Sequence, residues 1–354
     1  MKFEKLFDKA VQARLSSQFK TAQKHYQSLL GNLKDSDQRA EAYLGLADVE
    51  RIQGDFRSSL FHYQSAEKIL LMNHDHLGAT DAKVGWALAA RAVGRPREAL
   101  KKLESSLPLY KKEKDLQGEA FVHWALGGTY RIAGDMRKGL RELQTAFRLY
   151  LQIKDAEGQA YTCCALGGIY RMLGRYAESG KYYREANHRM RKNKDTFGIA
   201  YSYCGLGNVE RMAGRFERAL PFYRKAEKLY RTIGDRVSYA YTLWSIGTAE
   251  KMFGQYGSAR KSFSTADKLF ISTGDTRGRI YTLLGFAETE WLEAHPSKGF
   301  GYWRKAKYIA DQSDFLWEKL HVEALKEGQV NPLASKYQKT GSKFHPETFP
   351  VNWP

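Results

Sequence analysis

Small and large apolar residues recur along this chain three and four positions apart, the spacing that places side chains on one face of an α-helix. Ala219 is followed in this way by Tyr223 and Ala226, and the same pattern returns forty residues later, where Ala259 begins it. Polar and charged residues fill the positions between them. The pattern predicts a series of amphipathic helices, each with one face buried against a neighbour.

The helical pattern repeats with a fixed period of forty residues. A basic residue followed three positions later by glycine keeps this step at Arg51–Gly54, Arg91–Gly94, Arg131–Gly134, Arg171–Gly174, Arg211–Gly214 and Lys251–Gly254. An aspartate keeps the same step at Asp75, Asp115, Asp155, Asp195, Asp235 and Asp275. A period of this length is typical of repeat proteins, in which each unit buries its apolar face only against adjacent units.

Each repeat unit is predicted to contain two helices. The aspartate lies where the first helix begins, and its carboxylate can accept hydrogen bonds from free backbone amides and interact favourably with the helix dipole. The glycine lies where that helix ends, a position that often adopts the left-handed backbone conformation. These two residues therefore mark the boundaries of the first helix in each unit.

Two short segments, LGGTY with Leu126, Gly127 and Tyr130, and LGGIY with Leu166, Gly167 and Tyr170, resemble the core of the tetratricopeptide repeat. The second helices match its small residue, its large residue and its next alanine at Gly139, Leu143 and Ala146, at Ser179, Tyr183 and Ala186, at Ala219, Tyr223 and Ala226, and at Ala259, Phe263 and Ala266. The period of forty and the absence of the closing proline are similar to the longer-repeat subclass found in polarity adaptors and in bacterial regulators and sensors.

This resemblance implies an all-α fold, a right-handed solenoid of about eight helix-turn-helix units covering roughly residues 1–312. A capping helix is predicted near residues 314–327, so that residues 1–327 form one superhelical domain. Residues 328–354 contain four of the 8 prolines and lack helical periodicity, which predicts an extended or disordered tail. Its Phe344, Phe349 and Trp353 suggest the further hypothesis that the tail folds back onto the last unit or into the groove.

The formal net charge of +18 favours anionic partners, although lysine and arginine also coat the solvent-facing sides of ordinary helices. The 3 cysteines are too few for a disulfide framework. The N-terminal segment lacks the uninterrupted apolar core of a signal peptide, and no apolar stretch is long enough to span a membrane. These observations predict a cytoplasmic protein.

The resemblance also implies that the first helices line a concave inner surface. The basic residue near the end of each first helix would then form a basic row, consisting of Arg14, Arg51, Arg91, Arg131, Arg171, Arg211 and Lys251. The inward position at the start of the same helices is acidic at Glu41 and Asp81 and then becomes an aromatic row, consisting of Phe121, Tyr161, Tyr201, Tyr241 and Tyr281. The residues between the rows are small, at Gly128, Gly168, Asn208 and Thr248.

A guanidinium group can bind a carboxylate or a phosphate through two parallel hydrogen bonds, and it also stacks on aromatic rings. The basic and aromatic rows, together with Asn208, therefore predict a surface for an extended anionic ligand. A purely structural alternative is that each basic side chain stabilises the helix dipole or pairs with a neighbouring glutamate, at Glu50, Glu210, Glu250 or Glu290. The aromatic row has the equivalent alternative of packing between units.

The leading functional hypothesis is an adaptor or scaffold whose basic, tyrosine-rich groove binds an acidic or extended segment of another protein. The first alternative is a sequence-tolerant protein that binds RNA or single-stranded DNA, since basic and aromatic side chains together suit single strands. The second is a non-catalytic sensor of a small anionic ligand. A uniform basic row carries no base-reading code, which disfavours sequence-specific RNA recognition.

No catalytic motif is present in the sequence: it lacks the phosphate-binding loop, the zinc-protease pair of histidines and the nucleophile elbow. The only candidates for metal binding are His74 with His76, in a predicted loop, and a group of His123, Cys163, Cys164 and Cys204 spread over three units. Side chains on neighbouring units lie about 10 Å apart, which is too far for a disulfide and marginal for sharing zinc. No metal, cofactor or enzymatic activity is therefore predicted.

Overall fold

The computed structural model describes residues 2–16, 18–31, 33 and 35–327, and these residues form eighteen helices and no strand. The first helices of the units are α1 (Lys2–Leu15), α3 (Ser36–Gln53), α5 (His76–Ala92), α8 (Leu116–Ala133), α10 (Ala156–Met172), α12 (Thr196–Met212), α14 (Arg236–Met252) and α16 (Thr276–Leu292). The second helices are α2 (Phe19–Leu30), α4 (Phe56–Met72), α6 (Pro96–Glu104) with α7 (Leu107–Lys112), α9 (Met136–Gln152), α11 (Tyr176–Lys192), α13 (Phe216–Ile233), α15 (Tyr256–Thr273) and α17 (Pro296–Asp311). A last helix, α18, covers Leu316–Glu327.

Consecutive helices contact each other along the whole series, and first helices also contact the first helices of the next unit. The fold is therefore the predicted all-α solenoid of eight hairpins followed by a terminal helix. The hypothesis about the tail concerns residues 328–354, which lie outside the described residues.

The predicted helix boundaries are confirmed. The carboxylate of Asp155 accepts a hydrogen bond from the backbone amide of Gly158 at 2.8 Å, and Asp75, Asp115, Asp195, Asp235 and Asp275 make the equivalent bond at 2.8–2.9 Å. Where the first helices end, the repeated glycines have φ between 71° and 93°. That left-handed conformation suits glycine, which has no Cβ to clash with the backbone.

One second helix departs from the regular pattern. The second helix of the third unit is divided into α6 and α7 at Ser105 and Ser106. Pro108 lies in the first turn of α7 and has no backbone N–H to donate to the carbonyl of Glu104. Proline is scarce in this chain, at 8 residues, and Pro108 is the one that accompanies this interruption.

The core consists of small residues that admit a large ring from the adjacent helix. The ring of Tyr183, which is 4% exposed, lies between Gly167 of its own unit and Gly205 of the next. A Cβ on Gly205 would lie within 2.1 Å of the Tyr183 ring. Ala186 and Ala226 are completely buried beside these rings. The small and large residues of the repeat therefore hold adjacent units together.

The solenoid curves until late units meet early ones. Gly54, at the end of α3, lies against Val237 and Thr273, five units further along the chain. The backbone amide of Asp314 donates to the carbonyl of Gly94 at 3.3 Å, and Gly134 lies against Leu316 and Trp317. The terminal helix was predicted to cap the last hairpin. It does contact α16 and α17, but it also reaches across to α8.

Candidate functional site

The basic row points into the molecule. Arg171, Arg211 and Lys251 are between 0% and 6% exposed, and Arg51, Arg91 and Arg131 are half-buried. Each of these residues lies three positions before the glycine that ends its helix, so the repeat brings them to equivalent places in successive units. Side chains on the outer rim of a solenoid would be exposed to solvent. The burial of the basic row therefore indicates that its side chains face the interior.

Several members of the row have partners within the chain. Asp48 pairs with Arg51 at 3.4 Å and with Arg14 at 3.7 Å, and Lys251 pairs with Glu288. Arg211 donates to the hydroxyl of Tyr223 at 3.1 Å, and its guanidinium lies 5.0 Å from the centre of the Trp244 ring. These basic residues stabilise the fold, since each of them makes an ion pair, a hydrogen bond or a cation–π contact within the protein.

The glutamates proposed as partners of the basic row bind elsewhere. Glu50 contacts His62 at 2.7 Å, Glu210 contacts Arg215 at 2.6 Å, Glu250 accepts from Ser262 at 2.8 Å, and Glu290 accepts from Arg260 at 2.9 Å. Each partner lies outside the row, on a second helix or in the loop before it. The structural alternative in which these four glutamates pair with the basic row is therefore contradicted, because their position on the helix directs them away from the inner surface.

A cavity of about 240 Å³, here called the central chamber, lies between the two sides of the curved solenoid. First helices of six units, from α5 to α16, contribute to its wall. Its cationic residues are Arg91, Arg131, Arg171 and Arg277. Among the described residues that line it there is no aspartate or glutamate. The chamber is therefore a partly open cavity with an excess of positive charge on its wall.

Arg91 and Arg131 are the chamber residues whose charge lacks an internal partner. Within the described part of the chain, neither guanidinium makes an ion pair or a hydrogen bond. Burial, followed by repulsion from Arg51 and Arg131, lowers the pKa of Arg91 to about 10. Burial, followed by repulsion from Arg277, also lowers the pKa of Arg131. Both side chains stay protonated at neutral pH, so both carry an unbalanced positive charge.

Gly128 makes room for one of these guanidinium groups. A Cβ at Gly128 would lie 2.8 Å from Nη1 of Arg91. The Arg91 guanidinium also lies 5.9 Å from the centre of the Trp124 ring, within the range of a cation–π interaction. The predicted small residue between the two rows is thus the one that lets Arg91 reach the chamber.

Four residues of the aromatic row make packing contacts or hydrogen bonds within the protein. Tyr161 donates to Asp195 at 2.7 Å and Tyr241 donates to Asp275 at 3.1 Å, so each hydroxyl joins its unit to the aspartate cap of the next. Tyr281 binds Glu318 of α18. Phe121 stacks on Trp124 with a ring separation of 5.5 Å. Packing therefore accounts for these four residues, of which Tyr241 also lines the chamber.

Tyr201 differs from the rest of the aromatic row. It lines the chamber, is 36% exposed, and makes no hydrogen bond through its hydroxyl to any described residue. Burial raises the pKa of Tyr201, while the positive charges of Arg131 and Arg91 oppose that rise. The hydroxyl therefore stays protonated and available as a donor beside the two unpaired guanidinium groups.

The structure brings six of the predicted site residues to the chamber: Arg91, Arg131, Arg171, Tyr201, Tyr241 and Asn208. Arg51, Arg211, Lys251, Phe121, Tyr161 and Tyr281 do not line it. Arg277, which sequence reasoning missed, does line it and pairs with Glu318 at 2.5 Å. Arg277 lies at the start of its helix, outside the repeated basic position. The forty-residue repeat therefore gave no indication that it belongs to the site.

The described residues also bear on metal binding, on the cysteine thiols and on membrane-spanning helices. They contain no group of three or more histidine, cysteine, aspartate or glutamate side chains arranged to hold a metal ion. Burial raises the pKa of Cys163 to about 11 and also raises the pKa values of Cys164 and Cys204. None of the described helices is long and apolar enough to cross a membrane.

Residues 157–232 and 197–266 match a family model described as tetratricopeptide repeat, and no curated protein matches this chain. A Rap protein complexed with competence and sporulation factor is 16% identical, with a TM-score of 0.69 over 82% of this chain and 80% of that chain. The Rap conjugation gene regulator of plasmid pLS20, in complex with a Phr peptide, is 13% identical, with a TM-score of 0.61 over 88% and 95% of the two chains. The apo form of the quorum sensor NprR from B. thuringiensis is 14% identical, with a TM-score of 0.58 over 87% of each chain.

Proposed function

Starting from the premise that this chain is a tetratricopeptide-type repeat protein, we propose that it is a binding protein that recognises an acidic segment of a partner protein at the inner surface of its solenoid. The observation that carries this proposal is the central chamber, where four arginines meet and no described carboxylate lines the wall. Guanidinium groups bind carboxylates in a defined, bidentate geometry, so an acidic segment is the chemistry that such a wall selects.

The likeness to solved structures supports a binding role. One similar structure is a Rap protein complexed with competence and sporulation factor, and another is a Rap regulator in complex with a Phr peptide. The acidic character of the segment is our inference from Arg91 and Arg131 and is independent of those structures.

A nucleic-acid strand suits the molecule less well. Sequence-tolerant binding of a strand uses a continuous, accessible basic track with stacking platforms. Here Arg51 and Lys251 are paired with Asp48 and Glu288, and the unpaired guanidinium groups lie in a chamber of only about 240 Å³. The inner surface therefore favours a short acidic group over a polynucleotide backbone.

We also propose that the role is non-catalytic and cytoplasmic. A thiol acts as a nucleophile or a redox centre through its thiolate form. Burial holds the pKa of Cys163 near 11, so this thiol is protonated at neutral pH. Cys163 is therefore assigned to packing, and the cytoplasmic location rests on the sequence alone.

The test is selection from a displayed library of random peptides on the full-length chain. We expect selected peptides to be rich in aspartate and glutamate and to bind in fluorescence polarisation assays. The double variant Arg91→Met with Arg131→Met should bind them at least about tenfold more weakly, because two charge-assisted contacts are lost.

The matched control is Arg137→Met with Arg231→Met, which removes the same charge from exposed positions and should leave affinity nearly unchanged. Circular dichroism should show equal helicity in all three proteins. Selection of peptides without acidic residues, or equal affinity of the two double variants, would contradict the proposal. Displacement of the peptides by low concentrations of single-stranded RNA would instead favour the nucleic-acid alternative.

A further inference from the structure

The central chamber differs from an open groove because its opposite walls belong to units far apart in the chain. Arg91 of the third unit and Arg277 of the eighth unit line the same cavity. Contacts of Gly54 with Val237 and Thr273, and of Gly134 with Leu316 and Trp317, close the solenoid around this space. A ligand in the chamber would therefore contact early and late units at the same time.

The size of the chamber limits what it can hold. Pockets for drug-sized ligands measure roughly 300–1,000 Å³, whereas the chamber measures about 240 Å³. A long extended peptide would exceed this space. A compact group, such as two neighbouring acidic side chains or a small free anion, would fit.

The charge of the chamber defines the sign and number of charges on its ligand. Burying a cation without a partner is costly, and the cost grows when several cations share one enclosed space. Arg91 and Arg131 carry unbalanced charge among the described residues, whereas the charge of Arg277 is balanced by Glu318. A ligand with at least two negative charges would neutralise both unpaired groups.

The polar groups of the chamber wall can donate hydrogen bonds to oxygen atoms of a ligand. The Tyr201 hydroxyl is a donor that lies with Arg91 and Arg131 on the chamber wall. Trp124 holds the Arg91 guanidinium from one side, and Gly128 leaves the space that the guanidinium occupies. Two guanidinium forks and a hydroxyl can donate to the oxygen atoms of two carboxylates or of a phosphate.

From these observations we infer that the central chamber is a binding site for a compact polyanion with at least two negative charges on oxygen atoms, bound by Arg91 and Arg131 with the Tyr201 hydroxyl as a further donor. This inference rests on the proposed function, because it names the ligand chemistry of the same inner surface. Two sources share this chemistry: an acidic pair within a partner segment, and a free small molecule with phosphate or carboxylate groups.

The experiment uses isothermal titration calorimetry on the full-length chain in a phosphate-free buffer of low ionic strength. The ligands are inorganic pyrophosphate, citrate and the blocked tetrapeptide acetyl-Gly-Asp-Glu-Gly-amide, with acetyl-Gly-Asn-Gln-Gly-amide as the neutral counterpart. We expect at least one of the three anions to bind with one-to-one stoichiometry, and the neutral peptide to give no heat of binding.

The variants assign the binding to the chamber. Arg91→Met with Arg131→Met should weaken binding about 100-fold, since two hydrogen-bonded charge contacts are lost. Arg91→Lys with Arg131→Lys keeps the charge but loses the fork geometry, and it should give an intermediate affinity. Arg137→Met with Arg231→Met, at exposed positions, should bind like the unmodified protein. Melting temperatures of all variants in the absence of ligand verify that they are folded.

The outcomes separate the inference from the proposed function. Binding of pyrophosphate or citrate without the acidic peptide supports the chamber site with a free small anion as its source, and it speaks against a partner segment. Binding of the acidic peptide supports both. Failure of all three anions to bind overturns the inference, and so does equal binding by the chamber variant and the surface control. If acidic peptides are selected and lose affinity in the chamber variant while none of the three small anions binds, the proposed function stands and the chamber inference fails.

Discussion

At the scale of single residues, unbalanced charge distinguishes the chamber arginines from the rest of the basic row. Arg51 is paired with Asp48 at 3.4 Å, and Lys251 is paired with Glu288. Arg91 is half-buried among positive neighbours and lacks such a partner within the described residues. A charge of this kind is expected to cost folding stability, and stability traded for a binding site is a common feature of proteins.

We therefore predict that Arg91→Met increases the free energy of unfolding by about 1–2 kcal/mol at pH 7.5. The pKa of Arg91 in the folded state, about 10, lies below its ordinary value of 12.5, so the folded state binds this proton less tightly than the unfolded state does. The resulting decrease in the free energy of unfolding is complete below pH 10 and diminishes as the pH rises through 10. Urea denaturation followed by circular dichroism measures the effect.

The control for this prediction is Arg51→Met, which removes one of the two cationic partners of Asp48 and should decrease stability. A similar decrease for Arg91→Met would show that its charge is balanced in solution, and would contradict the assignment of an unpaired guanidinium.

At the scale of elements, the first helices from α3 to α16 each begin with an aspartate cap, but burial makes the caps unequal. Asp75 is exposed, whereas Asp235 and Asp275 are 2% and 3% exposed. Burial raises the pKa of Asp235 and of Asp275 to about 6, although backbone and hydroxyl donors at each cap oppose that rise. The same local hydrogen bond therefore has a different electrostatic cost in the late units.

We predict that Asp235→Asn stabilises the protein by about 1–3 kcal/mol at pH 8, and by much less at pH 4. Asparagine is an equally good cap and carries no charge to desolvate. The folded-state pKa of Asp235, about 6, lies above its ordinary value of 3.8, so stability falls as the pH rises through 6 and the penalty is complete above it. Thermal unfolding between pH 4 and pH 8 measures the effect.

The surface cap supplies the comparison for this prediction. Asp75→Asn changes an exposed cap and should lose a few tenths of a kcal/mol from the helix dipole without a gain at pH 8. If Asp235→Asn and Asp75→Asn behave alike at both pH values, then burial of the Asp235 carboxylate is not its dominant property.

At the scale of the whole molecule, closure of the solenoid turns a row of side chains into a chamber. Gly54 and Gly254 occupy the same position in their units and both have positive φ, 84° and 73°. A Cβ on Gly54 would lie 2.4 Å from the Val237 side chain, whereas a Cβ on Gly254 would meet no atom within 4 Å. The difference between the two glycines arises only from contact between distant units.

We predict that Gly254→Ala costs about 1 kcal/mol through backbone strain alone. Gly54→Ala should cost about 1–3 kcal/mol more, because it also pushes Val237 and Thr273 away. Urea denaturation of the two variants measures the difference. Equal losses would mean that the early and late units do not meet in solution, and the chamber would then be an open groove.

Much of the fold follows from local sequence. Asp155 and Gly174 mark where α10 begins and where its C-terminal turn reverses direction, because capping depends on backbone groups a few positions away. The burial of Tyr223 and Ala226 follows from helical periodicity within one unit. The break at Pro108 also has a local cause, although the low overall proline content gave no reason to expect it there.

The sequence by itself determined the helices, the forty-residue unit and the caps, because these depend on interactions within one unit or between adjacent units. The inward direction of the basic row was implied only by the resemblance to tetratricopeptide repeats. Only the tertiary structure decided which charges remain unbalanced, since Arg277 meets Glu318 and faces Arg91 through the curvature of the entire solenoid. That curvature is the sum of small rotations from unit to unit, and no single unit encodes it.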